Sequence, residues 1–181
     1  MPQVKSNIHI EQGTPSHAFE LAFNMRTQDM IECALGGKTP LEALITPFRY
    51  QRSGVKTYTI LDNNKVVAMF GAVSTANNLK HASVWLLGSK NIEQYSTWIL
   101  KRTKKWVDYV SSDYDFVFNL IPEENQVTIK WLKWIGFEFS NKEILVKGVR
   151  VLYFSRKIHG VSNDIQPVLA DIGPLWITDL N

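Results

Sequence analysis

The segment Asn125-Gln-Val-Thr-Ile-Lys-Trp-Leu-Lys-Trp-Ile-Gly-Phe137 narrows the possible folds of this chain more than any other stretch. It opens on Asn, whose side-chain oxygen accepts from the free N–H groups of a first helical turn. A wide aromatic and aliphatic face follows, and the helix stops at Gly136, the residue type best able to take a left-handed φ after the last turn. Just before it, residues 116–120 form a short, nearly continuous apolar run. Such a run suits a central strand covered on both faces. A buried strand feeding a capped helix calls for a sheet with helices packed against it.

The rest of the chain extends this pattern. Residues 1–16 carry Pro2, Gly13 and Pro15 with few aliphatics and are expected to form a loose arm. Residues 17–24 alternate, with Phe19, Leu21 and Phe23 on one side, which predicts a strand. Thr27 is placed to cap a helix that Gly36-Gly37 ends. Thr39-Pro40-Leu41-Glu42 is a capping box with Pro at the first helical position, and its helix should end near Pro47. Strands are expected at 56–61 and 65–74 around the tight turn Asp62-Asn63-Asn64, and at 82–87. A long amphipathic helix should run over about 91–110, with strands at 138–147 and 149–157 around Lys147-Gly148. The expected product is a mixed α/β sheet with helices on both faces.

Composition excludes several classes. At 45% hydrophobic and 20% charged residues, the 181-residue chain has ordinary globular content and is most simply one domain over 17–157. No apolar run approaches the roughly 20 residues of a membrane span. The single cysteine, Cys33, lies in an apolar helical pattern and reads as a packed small hydrophobe. The four histidines lack metal-ligand spacing, so no metal is expected. Every Lys and Arg precedes residue 158, while the last 24 residues hold only Asp164, Asp171 and Asp179 as charges. Residues 158–181 therefore read as an extended C-terminal tail with apolar hooks such as Leu175 and Trp176. The net charge of +3 is too small and scattered to argue for nucleic acid, and the Lys101-Arg102-Thr-Lys104-Lys105 run reads as a solvated helix face.

The element order, with the Asn125 to Gly136-Phe137 motif after the 116–120 strand, resembles the GNAT acyltransferase superfamily over residues 17–157. The set Trp85-Leu86-Leu87-Gly88, Asn119, Asn125 and Trp131 to Phe137 is more specifically similar to a GNAT-like family of tailed bacteriophages, which includes an internal virion protein of short-tailed phages. The resemblance implies a mostly antiparallel sheet whose 82–87 and 116–120 strands splay apart around the pantetheine arm of acetyl-CoA. It implies cofactor contacts from Leu86, Leu87, Gly88, Lys90, Asn91, Asn119 and Asn125. It also implies a site in host cytoplasm during infection, or in the virion.

Several of these residues have plainer readings. An active pyrophosphate loop of this superfamily is glycine-rich, whereas this chain offers Gly88 alone, then Ser-Lys-Asn, with Glu93 in the first helical turn. Asn91 with Gln94 makes a capping box that accounts for the segment without a ligand. Asn119 reads equally as a turn residue and Asn125 as a helix cap. Leu132 stands where the superfamily usually keeps the Tyr that protonates the departing thiolate. Tyr95 and Tyr153 are candidate substitutes, and no catalytic residue is assigned. Trp131 and Trp134 read as packing or protein-contact residues. Two functional expectations result. One is an accessory interaction protein with a degenerate acyl-CoA site, meeting phage or host proteins through residues 158–181 and exposed Trp. The other is an active acyl-CoA-dependent N-acetyltransferase.

Overall fold

The computed structural model describes residues 6–49, 56–75 and 78–159. Nearly all of the expected C-terminal tail, from Gly160 onward, lies outside the described residues. The chain order is β1 (Ile8–Gln12), α1 (Pro15–Asn24), α2 (Thr27–Leu35), α3 (Pro40–Arg49), β2 (Lys56–Asp62), β3 (Lys65–Ser74) and β4 (His81–Gly88). A 3₁₀ turn (Ile92–Tyr95) leads into α4 (Ser96–Ser111), then β5 (Phe116–Pro122), α5 (Gln126–Trp134), β6 (Glu138–Phe139), β7 (Ile144–Val146) and β8 (Val149–Lys157).

The strands form one sheet in the order β1-β2-β3-β4-β5-β8-β6, with β7 also on β8. Every pairing is antiparallel except β4 with β5. Strand β3 contributes to two core clusters, its alternation broken at Val67–Ala68 by the register shift opposite Ile60 and Leu61. Val67, Ala68 and Phe70 pack in a cluster with Ile129 and Leu132 of α5 and with half-buried Ile99 and Trp106 of α4. Val66 and Met69 pack with Leu21 of α1, Cys33 of α2 and Leu44 of α3. Helices therefore cover both faces, as the sequence pattern requires.

Local chemistry explains most boundaries. Asn63 and Asn64 both take positive φ (49° and 63°), the geometry of a two-residue hairpin turn between β2 and β3. Gly136 sits at φ +96° after α5, and the Phe137 N–H donates back to the Leu132 carbonyl at 3.0 Å. That pairing closes the helix as a Schellman motif. The Thr39 capping box forms: the Thr39 N–H donates to Glu42 Oε2 at 2.8 Å and the Glu42 N–H donates to Thr39 Oγ1 at 3.3 Å.

Several expectations are corrected. Residues 17–24 are helical, not a strand. Thr14 Oγ1 accepts the His17 N–H at 3.3 Å and Pro15 starts the helix. Ala18 and Leu21 face the core, whereas Phe23 is 83% exposed, so the apparent alternation counted an exposed Phe as buried. Part of the expected N-terminal arm is an edge strand, with Ile8–Gln12 running antiparallel to β2. Arg26, not Thr27, is the N-cap of α2. Helix α3 continues past Pro47 to Arg49. The 138–147 strand is broken into β6 and β7, because the polar run from Asn141 to Glu143 leaves the sheet. The Asn91 capping box is absent: Asn91 makes no side-chain cap, and the helix starts through the 3₁₀ turn.

Candidate functional site

Strands β4 and β5 pair over three residues only, from His81 with Phe116 to Ser83 with Phe118. Beyond that they diverge. In an unbroken parallel ladder the Val84 carbonyl would accept from the Leu120 N–H. Here the Asn119 side chain stands between them. Its Nδ2 donates to the Val84 carbonyl at 2.7 Å, and its Oδ1 accepts the Leu120 N–H at 2.7 Å. One amide thus satisfies both strand edges while holding them a side chain apart. Asn119 is 5% exposed, so neither edge group has ready access to water.

The divergence opens into a cleft of about 460 Å³ on the α4 and α5 side of the sheet. This lies in the size range of small-molecule pockets. Its walls include Leu86, Leu87, Asn119, Trp131 and Leu132. The side chain of Leu87 packs on the opposite face, with Met25 and Leu44, so Leu87 meets the cleft through its backbone. Both backbone groups of a residue in an antiparallel strand point to the same edge, and alternate residues share that edge. The Val84 carbonyl points toward β5, so the N–H and C=O of Leu86 do too.

Other expected contacts are placed elsewhere. The Gly88 N–H donates to Asp29 Oδ2 at 2.6 Å, and its carbonyl accepts the Arg26 N–H at 3.0 Å. The Ser89 N–H donates to the Val67 carbonyl and the Lys90 N–H to the Asn24 carbonyl, both at 2.8 Å. These amides would have to be free to cradle a pyrophosphate, and they are already used. A Cβ on Gly88 would lie 2.4 Å from Ile92 Cδ1, so this glycine makes room for a core isoleucine. Lys90 and Asn91 are exposed and Asn125 lies outside the cleft wall. Asn125 accepts the Thr128 N–H through Oδ1 at 3.3 Å and donates through Nδ2 to Glu32 at 2.9 Å.

Neither tyrosine replaces the missing donor. The Tyr95 hydroxyl donates to Asp62 Oδ2 at 3.0 Å, on the β2–β3 hairpin. Tyr153 stacks on Phe118, and both side chains lie on the sheet face away from the cleft. Leu132 is 6% exposed and packs in the core beside the cleft. Of the two tryptophans of α5, Trp131 lines the cleft, whereas Trp134 is 62% exposed.

Sequence reasoning missed the polar group of α2. Arg26 and Glu32 line the cleft, and Asp29 between them is fully buried. Arg26 Nε lies 2.8 Å from Asp29 Oδ2. Burial raises the Asp29 carboxyl above its ordinary range, against the pull of Arg26 and the Gly88 N–H. Burial also raises Glu32, helped by the Asp29 charge and opposed by the Asn125 and Gln28 hydrogen bonds. A signal existed: Asp29 lies four residues before Cys33, which puts a carboxylate on the core stripe of the helix. Cys33 itself is 1% exposed, and burial pushes its thiol up to about 12, so it is an inert packed residue.

Among the described residues no group of three or more His, Cys, Asp and Glu could hold a metal ion, and no helix is long and apolar enough to cross a membrane.

No family model matches the sequence, and no curated protein does. Solved structures match the fold. The spermidine N-acetyltransferase of Vibrio cholerae, in complex with CoA and spermine, aligns with a TM-score of 0.62 at 10% identity, over 83% of this chain and 95% of its own. The ribosomal-protein-S18-alanine N-acetyltransferase of Escherichia coli aligns at 0.59 and 10% identity, over 88% and 99%. A GNAT-family acetyltransferase of Streptococcus pneumoniae aligns at 0.57 and 13% identity, over 84% and 100%. With its mixed, mostly antiparallel sheet and a parallel pair that opens into a cleft, this chain has the fold of the GNAT acetyltransferases.

Proposed function

We propose that the protein is an acyl-CoA-dependent N-acyltransferase whose acyl donor enters the cleft between β4 and β5. The observation that carries this reading is the Asn119 clip. It spends a buried polar side chain to keep two strands apart beside an open apolar cleft. The residues fit the acyl and pantetheine part of such a donor, because the Leu86 edge offers an N–H and a C=O to an amide-bearing arm. They do not fit its pyrophosphate, since the Gly88, Ser89 and Lys90 amides are occupied.

When bound, the donor supplies an acyl carbonyl activated as a thioester. The Leu86 N–H donates to the carbonyl oxygen as negative charge builds there. Glu32 takes the proton from the attacking amine, and its raised pKa brings it nearer to the basicity such a step needs. Asn125 and Gln28 hold Glu32 Oε1 from one side, at 2.9 and 3.3 Å. Leu132 provides no proton, so the thiolate departs as such and takes its proton from water. The amine and the acyl group leave as an amide. Calorimetric titration with acetyl-CoA, followed by assay of amine acylation, tests the reading. Micromolar binding with transfer supports it, and no binding of any acyl-CoA defeats it.

The occupied amides and Leu132 favour a second reading, a phage-borne accessory protein, virion-associated, that has kept the fold without the chemistry. Exposed Trp134 and Phe23 and the segment 158–181 are its candidate contacts with phage or host proteins. In that case acetyl-CoA is inert, and removing 158–181 abolishes a protein complex.

A further inference from the structure

Charge is divided between the two helical layers. On the cleft side, α4 and α5 carry Lys101, Arg102, Lys104, Lys105, Lys130 and Lys133, all exposed. Asp108 is the one carboxylate on either helix, and Arg156 takes it at 2.6 Å. None of those six cations pairs with a carboxylate among the described residues. Helices α1, α2 and α3 carry the opposite balance, with Glu20, Asp29, Glu32 and Glu42 against Arg49. A net charge of only +3 thus conceals a basic face, which attracts an acidic partner.

The same face has an apolar rim. Leu100 of α4 and Val127 of α5 line the cleft yet are exposed, and Trp134 is exposed at the end of α5. Exposed apolar surface rimmed by charge marks a contact site. Its occupant must be acidic and apolar at once.

The chain's own C-terminal segment has that composition and starts in the right place. After β8, the Ile158 N–H donates to the Asp115 carbonyl at 2.9 Å, and His159 Nε2 lies 2.9 Å from the carbonyl of Ser112, the C-cap of α4. Residue 160 therefore leaves from the foot of the basic helix. Residues 160–181 hold Asp164, Asp171 and Asp179, no Lys or Arg, and apolar residues between them such as Leu169, Leu175 and Trp176. Fully extended, these 22 residues reach about 70 Å. Helix α4, with 16 residues, is about 24 Å long. The segment can run the length of α4 and cross to α5. Its tether holds it at an effective concentration of the order of millimolar, so weak contacts suffice.

We infer that residues 160–181 dock on the α4 and α5 face of the same chain. The three aspartates meet the 101–105 basic run, and the apolar residues cover the rim at Leu100 and Val127. This needs neither reading of the cleft.

The test is paramagnetic broadening of amide signals in the full chain. Cys33 is buried and inert, so a cysteine introduced by Thr178→Cys takes a nitroxide label alone. With the label oxidised rather than reduced, the amides of Lys101, Lys104, Lys105 and Val127 should lose intensity, and those of α1 and α3 should keep it. In a mixture of labelled chain with unlabelled, isotope-enriched chain, the loss should vanish, because the contact lies within one molecule. Lys101→Glu, Lys104→Glu and Lys105→Glu together should release the segment and restore the signals. These side chains are exposed, so an unchanged melting temperature should show that the fold is kept. Asp164→Lys, Asp171→Lys and Asp179→Lys in the unsubstituted domain should release it as well, and the two sets combined should bring the loss back. Full intensity across α4 and α5 in the parent chain overturns the inference, as does a loss confined to another face. A loss that persists in the mixture gives the face to the tail of a second copy and overturns it. So does a loss that survives both charge reversals. Full intensity in the parent with shifts at 101–105 on adding a single-stranded oligonucleotide gives the face to nucleic acid and overturns it too.

Discussion

Replacing Asn119 with Ala removes both hydrogen bonds that bridge the splayed strands. The Val84 carbonyl and the Leu120 N–H are then left facing each other across a gap that neither spans. Closure of the gap is resisted on both sides. Strand β4 is held to β3 over seven register pairs and to α2 through Asp29 and Gly88. Strand β5 is held to β8 over seven more. A buried polar group left without a partner costs about 1–3 kcal/mol, and two are left, so Asn119→Ala should cost about 2–6 kcal/mol. In a chain of this size that lowers the melting temperature by roughly 5–25 °C. Urea denaturation gives the free energy, and amide exchange at Leu120 reports the local effect. The expected outcome is a lower midpoint with an unchanged slope and faster exchange at Leu120. Asn119→Asp keeps the acceptor for Leu120 but sets a carboxylate against the Val84 carbonyl, and should cost at least as much. A stability within about 0.5 kcal/mol of the parent chain, with Leu120 equally protected, would refute the reasoning, because the strands would then have zipped together without strain.

Three further outcomes follow from other parts of the site. Glu32→Gln should abolish amine acylation while leaving acyl-CoA binding intact. It should also raise the melting temperature at pH 8: the folded-state pKa of Glu32 is raised, so the native state holds the proton longer and stability falls as pH climbs through and above the ordinary glutamate range. The advantage of Gln should shrink toward pH 4, and a constant difference across pH would refute the buried-charge account. An acyl-pantetheine lacking the nucleotide should bind within about tenfold of the matching acyl-CoA, because the amides of Gly88, Ser89 and Lys90 are spent inside the chain; a thousandfold loss by calorimetry would contradict this. Gly88→Ala should cost about 1–3 kcal/mol by overpacking against Ile92, and Ile92→Ala in the same chain should remove the added clash, leaving only its own cavity cost; a neutral Gly88→Ala by urea denaturation would refute the steric role.

The sequence carried the architecture where local chemistry and burial agree. The Asn63-Asn64 turn, the Thr39 capping box and the Gly136 stop each specify one backbone geometry and were legible residue by residue. Residues 17–24 misled because Phe23 is exposed: a hydrophobic residue in solvent looks like a core residue until its face is known. The cleft was legible only as a pair of strands. What holds it open is not, since an Asn at a strand end gives no sign that its amide will replace a ladder bond. The α2 carboxylates were missed because their neighbours, Gly88 and Asn125, lie 59 and 93 residues away in the chain. The shortage of glycines after β4 was legible in the sequence; that the amides of Gly88, Ser89 and Lys90 are bonded to Asp29, Val67 and Asn24 needed the tertiary structure.

A crystal structure of the full chain grown with acetyl-CoA tests the central claim most directly. The account predicts the thioester between β4 and β5, with its carbonyl oxygen within hydrogen-bond reach of the Leu86 N–H, about 3 Å. Density for the ligand anywhere else, or β4 and β5 paired without a gap beyond Ser83, would contradict it.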